Sequence, residues 1–250
     1  MKKLIDIVAR LRSPDGCPWD KKQTHASLIP YLLEEVWEVI EEIQQEKTDA
    51  PLKEELGDLL LQIVLHAQIA QEQDLFTMDD VVDAISEKMV LRHPHVFQTN
   101  DGGLSDKDLK LQWHKIKSNE KNRKSITEGI PVGAPALLNA LTISKRAASL
   151  GFDWETPGDV LLKVEEELDE VRHEMKTGNA DKLEEELGDL LFTITNLARV
   201  YNINPELALK KGNDKFIRRF TVVEKEIIKA KKEGTELSME EMQSCWETTK

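Results

Sequence analysis

The sequence predicts an all-α protein built from two similar helical domains, and three observations carry that prediction. Apolar residues recur near the 3.6-residue helical period between clusters of glycine and proline. No stretch alternates polar and β-branched residues for long enough to make a sheet. KEELGDLL at 53–60 returns as EEELGDLL at 184–191 with seven of eight residues identical, which marks a duplicated plan rather than a solenoid.

Each helix has a local reason. Residues 3–12 form a short amphipathic helix stopped by Ser13, Pro14, Asp15 and Gly16. Thr24 can cap a helix running to about Glu46, with Leu28, Tyr31, Leu32, Val36, Val39 and Ile43 on its apolar side. Pro30 either kinks that helix or marks its true start. Asp49 precedes Pro51 in the first turn of a third helix, which continues to about residue 73, and Thr77 with Asp80 opens a fourth ending near Arg92. A charged helix is expected over 106–121, with Leu109, Trp113 and Ile116 on one side. The second half repeats the pattern: helices over 136–150, from Thr156 and Pro157 to about Lys176, over 180–201, and from Pro205 to Lys232. A last short helix is capped by Ser238 and Glu241. The expected domains are residues 1–100 and 135–250, joined by a helical linker over 101–134.

Forty-seven acidic residues against 34 Lys and Arg leave a net charge of −13, which speaks against a nucleic-acid polymer or an anionic membrane surface as partner. A phosphate-bearing small substrate is not excluded if a cation, most obviously a divalent metal, bridges it to the acidic protein. The sequence has no apolar run resembling a signal peptide or membrane span, and its two cysteines, Cys17 and Cys245, can build no disulfide framework. A reduced, cytoplasmic location is the expectation.

The acids are patterned. Glu166, Glu167 and Glu170 fall within one arc of a helix, and Glu186 and Asp189 share a face of the next. Glu34, Glu35, Glu38, Glu55 and Asp58 repeat the set in the first copy. A short turn at 176–179 should lay the two helices side by side, so that four or five carboxylates converge. Leu162, Leu168, Val171, Leu183, Leu187 and Leu190 are expected to point into a core beside them. Crowded carboxylates repel unless a cation or proton compensates, and an oxygen-only donor set favours Mg²⁺, with Mn²⁺ as substitute. Gly57 and Gly188, in mid-helix at a cost of about 1 kcal/mol each, suggest close packing beside the acids. A di-iron centre needs paired Glu-x-x-His motifs, and only Glu170 with His173 fits one.

The order EExxE, a gap, then ExxD within ELGDLL closely resembles the MazG family of nucleoside triphosphate pyrophosphohydrolases. CPWD at 17–20, RHPHVF at 92–97, KFIRRF at 215–220 and a tail helix with Trp246 extend the resemblance over nearly the whole chain. It implies Mg²⁺-dependent hydrolysis of NTP or dNTP to the monophosphate and pyrophosphate, with broad base specificity. It also implies a homodimer in which helices of both subunits complete each four-helix active-site bundle, and activity in the C-terminal copy. Family metal ligands fall on Glu166, Glu167, Glu170, Glu186 and Asp189, phosphate contacts on Lys182, Lys215 and Arg219, and a base-stacking aromatic on Trp246. Glu167 and Glu170 are the candidate general bases, with Glu186 and Lys182 beside them in the chemistry. The first copy keeps its five carboxylates as a possible second metal site, and Lys88 and Arg92 for Lys215 and Arg219. It has Pro51 where the second has Lys182, and no clear aromatic tail.

Without the resemblance, His25, His66, His114 and His173 read as isolated or surface groups, His93 and His95 as capping or packing residues, and Trp19, Trp37, Trp113 and Trp154 as core or interface aromatics. The alternative functions are a non-catalytic nucleotide- or metal-sensing protein, and a purely structural helical dimer. Within enzymes, a phosphatase releasing single phosphates would use similar metal chemistry.

Overall fold

The structure, a computed structural model, describes residues 1–46, 49–97, 105, 109, 125, 127–130 and 133–249. Its regular elements are all helices: α1 (Lys2–Arg12), α2 (Pro18–Lys22), α3 (Ile29–Gln44), α4 (Ala50–Gln71), α5 (Met78–Arg92), α6 (Pro94–Phe97), α7 (Ala136–Ala148), α8 (Pro157–Thr177), α9 (Ala180–Val200), α10 (Pro205–Lys232) and α11 (Met239–Glu247). They fall into two compact units, Met1–Lys121 and Asn122–Lys250. The expected helix over 106–121, with Trp113 and His114, lies outside the described residues apart from Leu109, as does most of the expected linker.

Capping sets most of the boundaries. Thr77, Thr156 and Ser238 each accept from the N–H of an acid three residues on, whose carboxylate accepts the cap's own N–H in return. Thr24 does not cap α3. It closes a separate turn with Ser27, and α3 begins at Ile29 with Pro30 in its first turn, where a missing N–H costs nothing. Pro18 and Pro94 start two one-turn helices that the periodicity does not reveal, because a single turn has no period to read.

In the first unit α4 packs against α1, α3 and α5. Only the C-terminal half of α4 is buried: Val64, Leu65, Ala67 and Ile69 join Val8, Leu28 and Met78 in an apolar core. Arg12, its side chain buried, ties the unit's end together, donating to both carboxylate oxygens of Glu72 (2.9 and 2.7 Å) and to the backbone carbonyls of Asp20 and Gln23. That guanidinium holds Glu72 below the usual carboxylate range.

His25 and His66 are not isolated. Their rings stack in parallel 5.1 Å apart, with Nδ1 to Nδ1 at 2.8 Å, so one ring donates and the other accepts. Burial, and then the neighbouring His25, push His66 below the ordinary histidine range. A histidine with a depressed folded pKa binds fewer protons than the unfolded chain, so it favours the folded state at neutral pH and loses that contribution as pH falls below about 6.5. The urea midpoint of the protein is therefore expected to drop between pH 7.5 and 5.5, and a His66→Gln variant to drop less over the same interval. Equal losses in both would separate the pair from the acid response.

The second unit is built on an α8–α9 hairpin, with α7 and α10 packed on α9 and α11 folded back onto α10. Gly178 takes the left-handed conformation (φ +74°) that ends α8, and the side chain of the next residue, Asn179, caps α9. Where the first unit has Val64 and Leu65 on its central helix, this one has Thr195 and Asn196. The Asn196 Oδ1 accepts from Ser144 on α7 (2.6 Å) and from Arg199 Nε (2.7 Å), and Arg199 is paired with Asp153. The unit's centre is thus a hydrogen-bonded network, more demanding of geometry than an apolar core.

Candidate active site

Half of α8 and half of α9 supply the second copy's acids. The two-residue turn at Gly178 and Asn179 makes these helices antiparallel neighbours, which brings the ExxE face of one against the ExxD face of the other. Glu167, Glu186 and Asp189 each offer an oxygen, and the three lie within 4.8 Å of one another. Glu167 is the buried member, with 5% of its surface exposed. In the first unit Glu35, Glu55 and Asp58, the matching residues on α3 and α4, converge within the same 4.8 Å. The repeat in the sequence is therefore a repeat in space.

The remaining acids sit at the rim. Glu170 shares a hydrogen bond with Glu167 and is pushed above the usual carboxylate range, chiefly by that bond, then by burial and by repulsion from Glu167 and Glu186. Glu166 is exposed and turns to Lys163. In the first copy Glu34 and Glu38 are exposed. Burial raises Glu35, with repulsion from Asp58 and Glu38 opposing the relief from a Gln62 hydrogen bond, and burial followed by repulsion from Glu38 and Asp58 raises Glu55.

Sequence reasoning missed Lys163. Its ammonium lies 2.8 Å from Glu166 and 2.9 Å from Glu167, and those hydrogen bonds push it above the ordinary lysine range. The i+3 and i+4 spacing from Lys163 to the two glutamates was the available signal. An ammonium standing between two of the carboxylates indicates what the site accepts: positive charge among hard oxygen donors. With no sulfur or imidazole in the set, the donors suit a hard divalent cation better than zinc.

The basic and aromatic candidates divide. Lys182, in the first turn of α9, and Lys215, on α10, are exposed. Among the described residues no ion pair joins Lys182, Lys215 or Arg219 to the five carboxylates. Arg219 instead grips the tail: its Nε donates to Thr249 Oγ1 (2.8 Å), its NH2 donates to the Trp246 carbonyl (3.2 Å), and its guanidinium lies 4.1 Å from the Trp246 ring centroid. Trp246 also leans on Phe216, centroid to centroid 5.2 Å. In the first copy His93 Nδ1 donates to the Met89 carbonyl (2.7 Å), a helix-end role.

Several expected core positions face outward. Leu162 is 64% exposed, and Leu168 and Leu187 are exposed as well, while Val171 is buried and Leu183 and Leu190 are half-buried. Trp19 and Trp154 are exposed and Trp37 half-buried, so none is a core residue; Trp19 meets Tyr31 edge-on at 5.7 Å. A Cβ placed on Gly57 or Gly188 meets nothing within 4 Å, so neither glycine serves close packing within its own chain. Leu161, Leu168 and Met175 on α8, seven residues apart, and Leu187, Leu191 and Ile194 on α9 form exposed apolar stripes. Exposed apolar stripes of this length are uncommon on a protein surface.

The fold and its clusters define a class: an all-α protein in which a helical hairpin, present twice, gathers carboxylates able to hold a divalent cation. The family model for the MazG nucleotide pyrophosphohydrolase domain matches residues 23–97 and again 155–223. The chain is 47% identical over 252 residues to the nucleoside triphosphate pyrophosphohydrolase/pyrophosphatase MazG of Thermotoga maritima, a match covering 100% of this chain and 95% of that one. It is 46% identical over 254 residues to the nucleoside triphosphate pyrophosphohydrolase of Escherichia coli K12, covering 99% and 96%. The uncharacterized protein YabN of Bacillus subtilis 168 is 47% identical over 257 residues, which span 98% of this chain and 50% of YabN. The chain belongs to the MazG family, with a copy of the family domain in each half. No helix among the described residues is long and apolar enough to cross a membrane.

Proposed function

We infer that this protein is an enzyme, a nucleoside triphosphate pyrophosphohydrolase that converts (d)NTP and water to (d)NMP and pyrophosphate, and that its C-terminal copy, residues 135–250, does the chemistry. The observation that carries the reading is the convergence of Glu167, Glu186 and Asp189 from two helices, in a chain nearly half identical to pyrophosphohydrolases over almost their full length. The first copy, residues 1–100, lacks a counterpart of Lys182 and of the Trp246 tail, which favours a supporting role.

Glu166, Glu167, Glu170, Glu186 and Asp189 are the residues that would hold Mg²⁺, with Mn²⁺ as substitute. Bound there, the ion supplies neutralisation of phosphate charge where negative charge develops. Lys182 and Lys215, exposed and unpaired with the acids, meet the outer phosphates, and an ammonium is suited to them as a mobile point charge. Arg219 orients the Trp246 indole, whose face accepts any nucleobase, consistent with broad base choice. A water attacks the α-phosphorus in line, the bond from that phosphorus to the bridging oxygen breaks, and pyrophosphate leaves. Glu167 or Glu170 takes the water's proton; the hydrogen bond between them leaves the pair able to share it. The net charge of −13 repels a free triphosphate, so the cation complex is the effective substrate.

The exposed stripes on α8 and α9 support a homodimer in which a second copy lies against this hairpin and completes a four-helix bundle around the acids. Partners are thus nucleotides and a second subunit, with no nucleic-acid polymer or membrane.

Incubation with Mg²⁺ and a panel of NTPs and dNTPs, with products resolved chromatographically, tests the reaction. Equal amounts of monophosphate and pyrophosphate are expected, falling to background in EDTA. Diphosphate with free phosphate would overturn the assigned bond, and nucleotide binding without turnover would favour a sensing protein.

A further inference from the structure

Folding α11 back onto α10 brings Trp246 and Thr249 beside Arg219, which lies 27 and 30 residues earlier in the chain. The Thr249 hydroxyl makes two hydrogen bonds there. Its Oγ1 accepts from Arg219 Nε at 2.8 Å and donates to the Trp246 carbonyl at 2.7 Å. That carbonyl also accepts from Arg219 NH2 at 3.2 Å, so guanidinium, hydroxyl and carbonyl close a ring of three hydrogen bonds. A side chain of this size can accept and donate through one atom only if it carries a hydroxyl. The guanidinium carbon is held 4.1 Å from the Trp246 ring centroid.

The ring orients Arg219 without neutralising it. Both of its acceptors, a hydroxyl and a backbone carbonyl, are uncharged, and among the described residues no carboxylate pairs with Arg219. Nor does its NH1 make a hydrogen bond among those residues. The five donors of a guanidinium lie in a rigid planar fork, so anchoring Nε and NH2 also fixes where the NH1 edge points. The indole, half-buried against Arg219 and Phe216, keeps exposed surface for a base.

We propose that Thr249 is a positioning residue for the nucleotide. Its hydroxyl locks Arg219 onto Trp246, so that the indole offered to the base and the NH1 edge offered to a phosphate stand in one fixed frame. The proposal rests on the pyrophosphohydrolase reading, in which Arg219 and Trp246 receive the two ends of one substrate. Ordering a long side chain at the moment of binding costs affinity, and Thr249 has that ordering done beforehand. Such an effect is the same before and during bond breaking, so it acts on KM and leaves kcat alone.

The test is steady-state pyrophosphate release by the full chain with Mg²⁺ and ATP. Thr249→Val keeps the shape and removes the hydroxyl, and it is expected to raise KM by at least about fivefold with kcat within about twofold of wild type. Thr249→Ser retains the hydroxyl and is expected to return KM to the wild-type value. In an Arg219→Ala chain, whose own KM is raised, adding Thr249→Val is expected to change KM no further, because a positioning residue loses its effect with the group it positions. A further rise there would mean that the valine disturbs α11 as a whole, and would overturn the proposal. So would a serine variant as impaired as the valine one, or a fall in kcat at unchanged KM. A wild-type KM in Thr249→Val beside a raised one in Arg219→Ala overturns the role of Thr249 alone. A wild-type KM in Arg219→Ala overturns the reading of Arg219 as well, and a wild-type chain without turnover overturns the pyrophosphohydrolase reading and this proposal together.

Discussion

Glu186→Gln together with Asp189→Asn is expected to cut pyrophosphate release by at least about a thousandfold, equivalent to roughly 4 kcal/mol of barrier. Both residues lie on one face of α9 and meet Glu167 across the hairpin within 4.8 Å, so the pair neutralises two of three converging carboxylates at once. The change is nearly isosteric, and it takes negative charge out of a crowded cluster. Without divalent ion the variant is therefore expected to melt no lower than the wild type, and with Mg²⁺ only the wild type gains stability. That combination distinguishes loss of a site from loss of a fold. Turnover that survives the double change would move the chemistry to Glu34, Glu35, Glu38, Glu55 and Asp58. A variant that loses stability in EDTA as well would mean the acids were holding the hairpin together.

Leu187→Asp with Leu191→Asp is expected to abolish turnover by removing the second subunit from the α8–α9 face, although neither side chain belongs to the carboxylate cluster. Burying a leucine stabilises by about 1.5–3 kcal/mol. Two positions on each of two subunits then amount to about 6–12 kcal/mol of association, or at least four decades in Kd. Because the first unit also exposes Leu33 on α3 and Leu56 on α4, the chain is expected to stay dimeric through that unit until these two are changed to Asp as well. Light scattering follows assembly while product analysis follows turnover. A wild-type protein that is monomeric and fully active, or a fully monomeric variant that keeps its kcat, would remove the second subunit from the active site. Gly57 and Gly188 bear on the same question: the space around each is open in the single chain, which leaves room for a second subunit to approach there.

Much of this protein is readable locally. The helix starts at Thr77, Thr156, Pro205 and Ser238 follow from caps and prolines within four residues of each boundary, and the structure places them there. The two sets of carboxylates are legible for the same reason. A three- or four-residue spacing on a helix is a statement about a face, and a short turn between two helices puts the faces together. Thr24 misleads because Ser27 and Pro30 compete for the same few residues, and a proline at the first turn overrides a cap placed earlier.

Leu162, Leu168 and Leu187 mark where local reading stops. Periodicity places apolar residues on helix faces, but it does not say whether a given face meets the chain's own core or stays uncovered, as these three do. The stacked His25 and His66, 41 residues apart, and the grip of Arg219 on a tail 30 residues away have no local pattern at all. Lys163 falls between these cases. Its spacing from the acids is written in the chain, but an ammonium drawn into the cluster comes only from packing. The sequence by itself determined the helices, the duplication and the acidic faces, since each rests on dihedral preferences and hydrogen bonds within a turn or two. Tertiary structure alone decided which acids converge, which cation lies among them and which leucines remain uncovered, because burial and charge depend on neighbours that the chain brings together only when it folds.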